Sequence, residues 1–210
     1  LRQAEGTRSS APITFLQSGE PSEFASCLRI LGRIGEPEGL EAIRSHLSAA
    51  AEPVKEAAVR AMCDWKDAAA LPDVQSLMKT STDPTHRALA FRAYVRLVRL
   101  PDAKRTPQQT LAMYDDALAL AQSPDEKKLI FSGMADLACV EALDRLEAAL
   151  SDAALQAEAA VALCSVARHV CGGSPVRARA AIDRVRGYPA SDAVKHAADE
   201  EAPLLTATKR

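Results

Sequence analysis

The chain has little of what a bulky sheet core, a metal ribbon or a membrane span requires. Of its 210 residues only one is Trp, three are Tyr and four are Phe. So few aromatics argue against an all-β fold, whose cores are filled by aromatic and β-branched side chains. The five cysteines, Cys27, Cys63, Cys139, Cys164 and Cys171, are odd in number and contain no C-x-x-C pair. Neither a disulfide framework nor a zinc ribbon follows from them. No stretch approaches the roughly 20 apolar residues that cross a bilayer. Charge of one sign is also missing: 26 Lys+Arg stand against 28 Asp+Glu, for a net charge of −2. The signs are interspersed, which leaves no electrostatic footprint for nucleic acid or an anionic membrane. Gly172 and Gly173 in "CGGSP" lack the lysine and the preceding strand of a phosphate-cradling loop and read as a turn between helices.

What the chain has is alanine, 42 residues of it within a 48% hydrophobic composition. That suits close helix packing. It also repeats itself. Leu28, Leu31, Ile34, Leu40, Ile43 and Leu47 become Val59, Met62, Trp65, Leu71, Val74 and Met78 on a shift of 31, and Phe131, Met134, Leu137, Leu143, Leu146 and Leu150 on a shift of 103. Every position stays apolar. The first three anchors of each set are spaced by three, as are the fourth and fifth, so each unit predicts two helices with a break between them. A further copy begins at Phe91, Tyr94 and Leu97, is interrupted by "RLPDAKRTPQQ", and resumes at Leu111, Tyr114 and Leu118. Another has Ala160, Leu163 and Ala167 or Val166, then Ile182 and Val185.

Helix boundaries fall at Asp83-Pro84, Thr106-Pro107, Ser123-Pro124 and Ser174-Pro175, each a side-chain acceptor followed by a first-turn residue that needs no donor. Ser123 and Glu126 have capping-box spacing. Gly172 and Gly173 are expected to end a helix near Cys171 by adopting positive φ. The expected divisions are 1–20, a remnant of a preceding repeat or a lead-in; repeats at about 21–50, 53–80, 84–121, 124–150 and 153–187; and a capping helix with tail over 188–210. The chain starts at Leu1 without a methionine or a leader pattern, which suggests a processed or excised piece of a longer array.

The segment "EPVKEAAVRAM" resembles the first helix of a HEAT repeat, and over residues 21–187 the period fits that class. The ordered strings "RILGRIG", "AVRAMCDWKDAAALPDVQSLMK", "FRAYVRLV", "SPDEKKLIFSGMAD" and "LQAEAAVAL" are similar to the HEAT-repeat region of large exported bacterial proteins, especially of planctomycetes. The resemblance implies an all-α fold, a right-handed α-α superhelix (HEAT-like solenoid) of about five helix pairs. It further implies a non-catalytic scaffold and an extracytoplasmic location, although the cysteines are equally compatible with the cytoplasm. Two enzymatic relatives of the fold fit poorly. HEAT-type deoxyhypusine hydroxylases need His-Glu dipeptides for iron, whereas His46, His86, His169 and His196 precede Leu, Arg, Val and Ala. HEAT-like DNA alkylation-repair glycosylases use a basic concave face with Trp, Asp and Arg around the damaged base, and here Trp65 is the single Trp and the net charge is not positive.

Residue by residue, most candidates read as packing. Trp65 occupies an apolar anchor position, with its indole N–H to be satisfied near a helix end. Cys27, Cys63 and Cys164 are expected as small buried residues. Cys164, His169 and Cys171 do not share a face with a fourth ligand, so no metal is expected, and no cofactor. The neighbouring carboxylates Asp115-Asp116 and Glu200-Glu201 diverge by about 100° on a helix and cannot share a proton. The functional expectation rests on shape. Stacked pairs leave the second helices lining one side, and their outward positions Glu41, Arg44, Ser45, Gln75, Lys79, Asp115, Asp144, Arg145 and Glu147 form a candidate protein-binding face. The irregular loop with Arg99, Lys104 and Arg105 is a second candidate contact. The expected partner is a protein, or neighbouring domains of the same polypeptide, with no nucleic acid and no membrane insertion. The alternatives are an accessory domain that lends a groove to a catalytic neighbour, or a DNA-binding or repair enzyme of HEAT type.

Overall fold

The computed structural model describes residues 8–18 and 20–187, and the capping helix expected over 188–210 lies outside them. The described residues form α-helices and turns with no strand. The chain divides at Leu100 and Pro101 into two units. The N-terminal unit contains α1 (Ser10–Ser18), α2 (Pro21–Ile34), α3 (Pro37–His46), α4 (Glu52–Cys63), a 3-10 turn at Ala68–Ala70, α5 (Leu71–Thr80) and α6 (Pro84–Val98). The C-terminal unit contains α7 (Pro107–Leu120), α8 (Pro124–Met134), α9 (Val140–Ala149), α10 (Gln156–Val170) and α11 (Pro175–Arg186).

The repeated anchors make the cores. In the N-terminal unit α2 packs on α4, α4 on α6, and α1 and α3 on α2. Leu28, Leu31, Leu40, Ile43, Val59, Met62, Trp65, Val74 and Met78 are buried there with Phe91, Tyr94 and Leu97. In the C-terminal unit α10 packs against α8, α9 and α11. Phe131, Met134, Leu143, Leu146, Leu150, Leu163, Val166, Ile182 and Val185 are its buried counterparts. Ile34, Leu47, Leu71 and Leu118 are only half-buried, because they sit at or beside helix ends where one flank meets solvent. Trp65 lies past the end of α4 rather than on it, 1% exposed, and its indole N–H donates to Asp67 Oδ1 at 3.2 Å. Cys63 and Cys164 are buried as expected, but Cys27 is half-buried, since its position on α2 lies toward the rim of the stripe.

Helix starts follow the sequence signals with two departures. Asp83 accepts from the Thr85 and His86 amides at 2.7 and 2.9 Å. Thr106 and Gln109 form a reciprocal capping box, whereas Glu126 reaches past Ser123 to the Gln122 amide at 2.6 Å while Ser123 Oγ accepts the Glu126 amide. Ser174 precedes α11 without a side-chain cap bond, its backbone being at φ −140°, ψ 60°. The second departure concerns glycine. Among the described residues positive φ occurs at Gly35 (74°), which closes α2 onto the Leu31 carbonyl, and not at Gly172 or Gly173. After α10 the chain closes instead through ordinary turns, with the Gly173 and Ser174 amides both bonded to the Val170 carbonyl.

Candidate functional site

The second helices α3, α5, α7, α9 and α11 carry the residues singled out from the repeat pattern, and within each unit their charges are joined into rungs. From α3, Arg44 Nε donates to Asp73 Oδ2 of α5 at 2.8 Å, Arg44 also pairs with Glu41, and its other nitrogen reaches the Ala69 carbonyl at 3.1 Å. From α9, Arg145 grips Asp115 of α7 in a bidentate pair, Nε to Oδ1 and Nη2 to Oδ2, at 3.1 Å each. From α11, Arg177 binds Glu147 and Asp144 of α9 at 2.6 Å each, and Arg184 approaches Glu147 at 3.7 Å. Each rung is a fork-shaped donor set facing a carboxylate, the arrangement that fixes relative position as well as charge. The hydrogen bond it donates to Asp73 pushes the Arg44 pKa higher still, as the bonds donated to Asp115 and Glu147 do for Arg145 and Arg177.

The candidate face is therefore mostly self-paired. Ser45 turns its hydroxyl onto the Ala42 carbonyl at 2.8 Å. Gln75 and Lys79 of α5 make no hydrogen bond or ion pair with another described residue, and Lys79 is exposed. Two rung members, Asp73 and Arg177, were not anticipated. Their signal is in the sequence: Asp73 lies 29 residues after Arg44 and Arg177 lies 30 after Glu147, a charge of opposite sign one repeat period away.

The loop residues have separate local roles. Arg99 ends α6. Asp102 organises a turn by accepting the Lys104 amide at 2.9 Å while its carbonyl accepts the Arg105 amide at 3.1 Å. Arg105 then lays its guanidinium against Met113 Sδ of α7 at 3.7 Å, and the Lys104 side chain is exposed.

Two of the concavities lined by described residues lie in the N-terminal unit. One, of about 650 Å³, lies between α1 and α3, lined by Ile13, Leu16 and Ala42 with Glu38, Glu41 and His46 at its edge. His46 Nδ1 is bonded to the Ala42 carbonyl at 2.8 Å. The other, of about 230 Å³, lies between α2 and α4. Cys63 and Cys139 are poorly suited to attack. Burial pushes Cys63 up to about 12. Cys139 is raised by burial and by donating to Glu141 at 2.9 Å, while that bond lowers Glu141, so the proton stays on sulfur. Among the described residues no group of three His, Cys, Asp or Glu could hold a metal ion, and no helix is long and apolar enough to cross a membrane.

Helix pairs with a period near 30, buried anchors on both helices and inter-repeat rungs define an all-α fold of the HEAT-like solenoid class. Residues 11–95 match the family described as HEAT repeats. The fold is similar to the crystal structure of an engineered protein from the Northeast Structural Genomics Consortium, at 18% identity and a TM-score of 0.55, over 95% of this chain and 97% of that one. Human deoxyhypusine hydroxylase in complex with glycerol is a more distant match, at 17% identity and a TM-score of 0.45, over 95% of this chain and 74% of that one. No curated protein matches.

Proposed function

We propose that the chain is a non-catalytic scaffold or interaction module, binding a protein partner or neighbouring domains of its own polypeptide through the second-helix face. The observation that carries this reading is the rung system. Arg44, Asp73, Asp115, Arg145, Asp144, Glu147 and Arg177 are held by one another in fixed positions, so that each unit offers a mixed-sign polar surface whose ordering does not have to be achieved on binding. Gln75 and Lys79 add donors without internal partners. The match of residues 11–95 to HEAT repeats supports the same reading.

A photo-cross-linking residue placed at Lys79 should capture a discrete partner in lysate of the source cells. Lys79→Glu should weaken that capture about tenfold with the fold unchanged, since the side chain has no internal bond. Adducts formed equally well from Val161, exposed on the first helix α10, would refute the assignment of the face. A second reading, in which the domain lends a groove to a catalytic neighbour, draws on the α1–α3 concavity. There, Ala42→Trp should abolish the neighbour's activity and leave the Lys79 cross-link intact.

A further inference from the structure

Cations on a helical surface ordinarily pair with carboxylates or sit where helix-end carbonyls favour them. On the first-helix side of the N-terminal unit four of them meet in one cleft near the ends of α2 and α4, and among the described residues Arg60 alone of the four is paired with a carboxylate. Gly32 on α2 meets α4 so closely that a Cβ on the glycine would stand 3.0 Å from that of Ala61. The two helices touch there with almost no side chain between them, and the longer residues on either side surround a cleft of about 230 Å³. Arg29 and Arg33 of α2 line it, with Arg60 of α4 and Lys66 of the turn that follows; Asp64 is the acid among the lining residues.

Arg60 is paired with Glu56 at 2.9 Å. Arg29 donates to the neutral Ser26 hydroxyl at 2.9 Å. Arg33 and Lys66 are exposed and make no hydrogen bond or ion pair with another described residue. Even with Asp64 and Glu56 set against them, the four cations leave positive charge in excess. Arg33 and Arg60 lie in the last turns of α2 and α4, where helix-end carbonyls favour cations, but the carbonyls there are closed by other groups. Gly35 closes α2 onto the Leu31 carbonyl, and Arg96 of α6 closes α4 by donating to the Cys63 and Trp65 carbonyls at 2.8 and 2.7 Å.

We propose that this cleft receives the carboxylate side chains of an acidic peptide segment on a protein partner. Its volume is below the roughly 300–1,000 Å³ of pockets that enclose a whole small molecule, so it accommodates a group projecting from something larger. Guanidiniums on both walls match the two oxygens of a carboxylate. The cleft is short and bounded by Asp64, whereas a nucleic-acid backbone requires a continuous basic track, and the chain as a whole carries −2. This is a different face from that of the second helices, and it rests on the interaction-module reading only in taking the occupant to be protein.

The test uses the full chain and a fluorescein-labelled peptide of alternating Glu and Gly, followed by anisotropy at low salt. Saturable binding is expected, weakened about tenfold or more by Arg33→Glu with Lys66→Glu and by the neutral Arg33→Gln with Lys66→Gln, and unaltered by Lys79→Glu. Neither the Arg33 nor the Lys66 side chain bonds within the described fold, but Arg33→Glu puts an acid at the C-terminal end of α2 and should lower the unfolding temperature slightly, so the neutral pair is the variant that separates binding from stability. Absence of saturable binding, or an equal loss with Lys79→Glu, overturns the proposal. Tighter binding of an oligothymidylate of equal charge, lost with the same two substitutions, also overturns it and assigns the cleft to nucleic acid. Because the second-helix face is tested at Lys79 and the cleft at Arg33 and Lys66, either reading can fail alone.

Discussion

In the N-terminal unit the third anchor of the second repeat is Trp65, and seventy-two residues on, in the C-terminal unit, the same anchor is Leu137. Both lie one turn past a first helix and both face inward, at 1% and 9% exposure. The tryptophan is fixed on two sides, by its indole bond to Asp67 and by Arg96 holding its carbonyl. Leu137 has a turn bond from its amide to the Met134 carbonyl and apolar contact alone from its side chain. The surfaces differ in the opposite sense. The N-terminal unit has the Arg44–Asp73 rung, whereas the C-terminal unit has Arg145–Asp115 and the Arg177 fork. One repeat plan thus tolerates two balances: a polar-strapped tryptophan at the shared anchor with an open basic cleft, or a smaller leucine at that anchor with more ionic ties between second helices. Residues 11–95, which match HEAT repeats, fall entirely within the former.

The largest test of this difference is truncation of the shared anchor. Trp65→Ala should cost about 3–5 kcal/mol, because it empties a large buried volume and leaves Asp67 without its indole partner. Leu137→Ala should cost about 2–3 kcal/mol, since less is buried and no polar partner is lost. Urea unfolding of the two variants measures both. Equal costs would mean that neither the larger buried indole nor its bond to Asp67 adds stability, and the contrast between the two anchors would be lost.

That contrast also shows what was legible in advance. Anchor positions were, because a period shared by six apolar residues is a one-dimensional property that burial enforces. The rungs were half legible. Arg44, Asp115, Asp144, Arg145 and Glu147 follow from helix periodicity, but their partners Asp73 and Arg177 emerge only when charges are compared one period apart. The basic cleft was not legible from interspersed charge, since Arg29, Arg33, Arg60 and Lys66 are separated by acids in sequence and converge only where Gly32 lets α2 approach α4. The glycine prediction at Gly172 and Gly173 failed for a related reason. A helix end can close by successive turns at negative φ, so glycine permits positive φ without requiring it.

The rungs supply the second test, smaller in size. Arg145 and Asp115 are 46% and 34% exposed, so Arg145→Met should cost about 0.2–1 kcal/mol and the cost should vanish in molar salt. Arg177 and Glu147 are more enclosed, at 29% and 14%. Arg177→Met should cost about 1 kcal/mol or slightly more and keep part of that cost in salt, because Glu147 then loses its nearest cation. Thermal unfolding at low and high salt separates the two. If both variants responded alike, the ties in the C-terminal unit would be solvated charges rather than the counterweight to its smaller anchor.

The smallest effect concerns acid. In the N-terminal unit Asp83 caps α6, and the His86 and Thr85 amides hold its pKa below the usual carboxylate value; the Ser9 amide and Arg8 do the same for Glu36. In the C-terminal unit α7 begins at Thr106, whose hydroxyl cap on Gln109 does not ionise. A carboxylate with a depressed folded pKa contributes its stabilisation above the unfolded value, about 3.9 for Asp and 4.3 for Glu, and loses it as pH falls through the lower folded one. Amide exchange, corrected for its intrinsic pH dependence, should therefore show Thr85 and His86 losing protection below about pH 4 while Gln109 keeps its own. Asp83→Asn retains an acceptor for both amides but cannot titrate, so it should remove the acid-dependent loss without fraying α6 at neutral pH. Loss of protection at Gln109 over the same pH range would show the acid response to be general unfolding, and the difference in cap chemistry between the two units would then have no bearing on their stability.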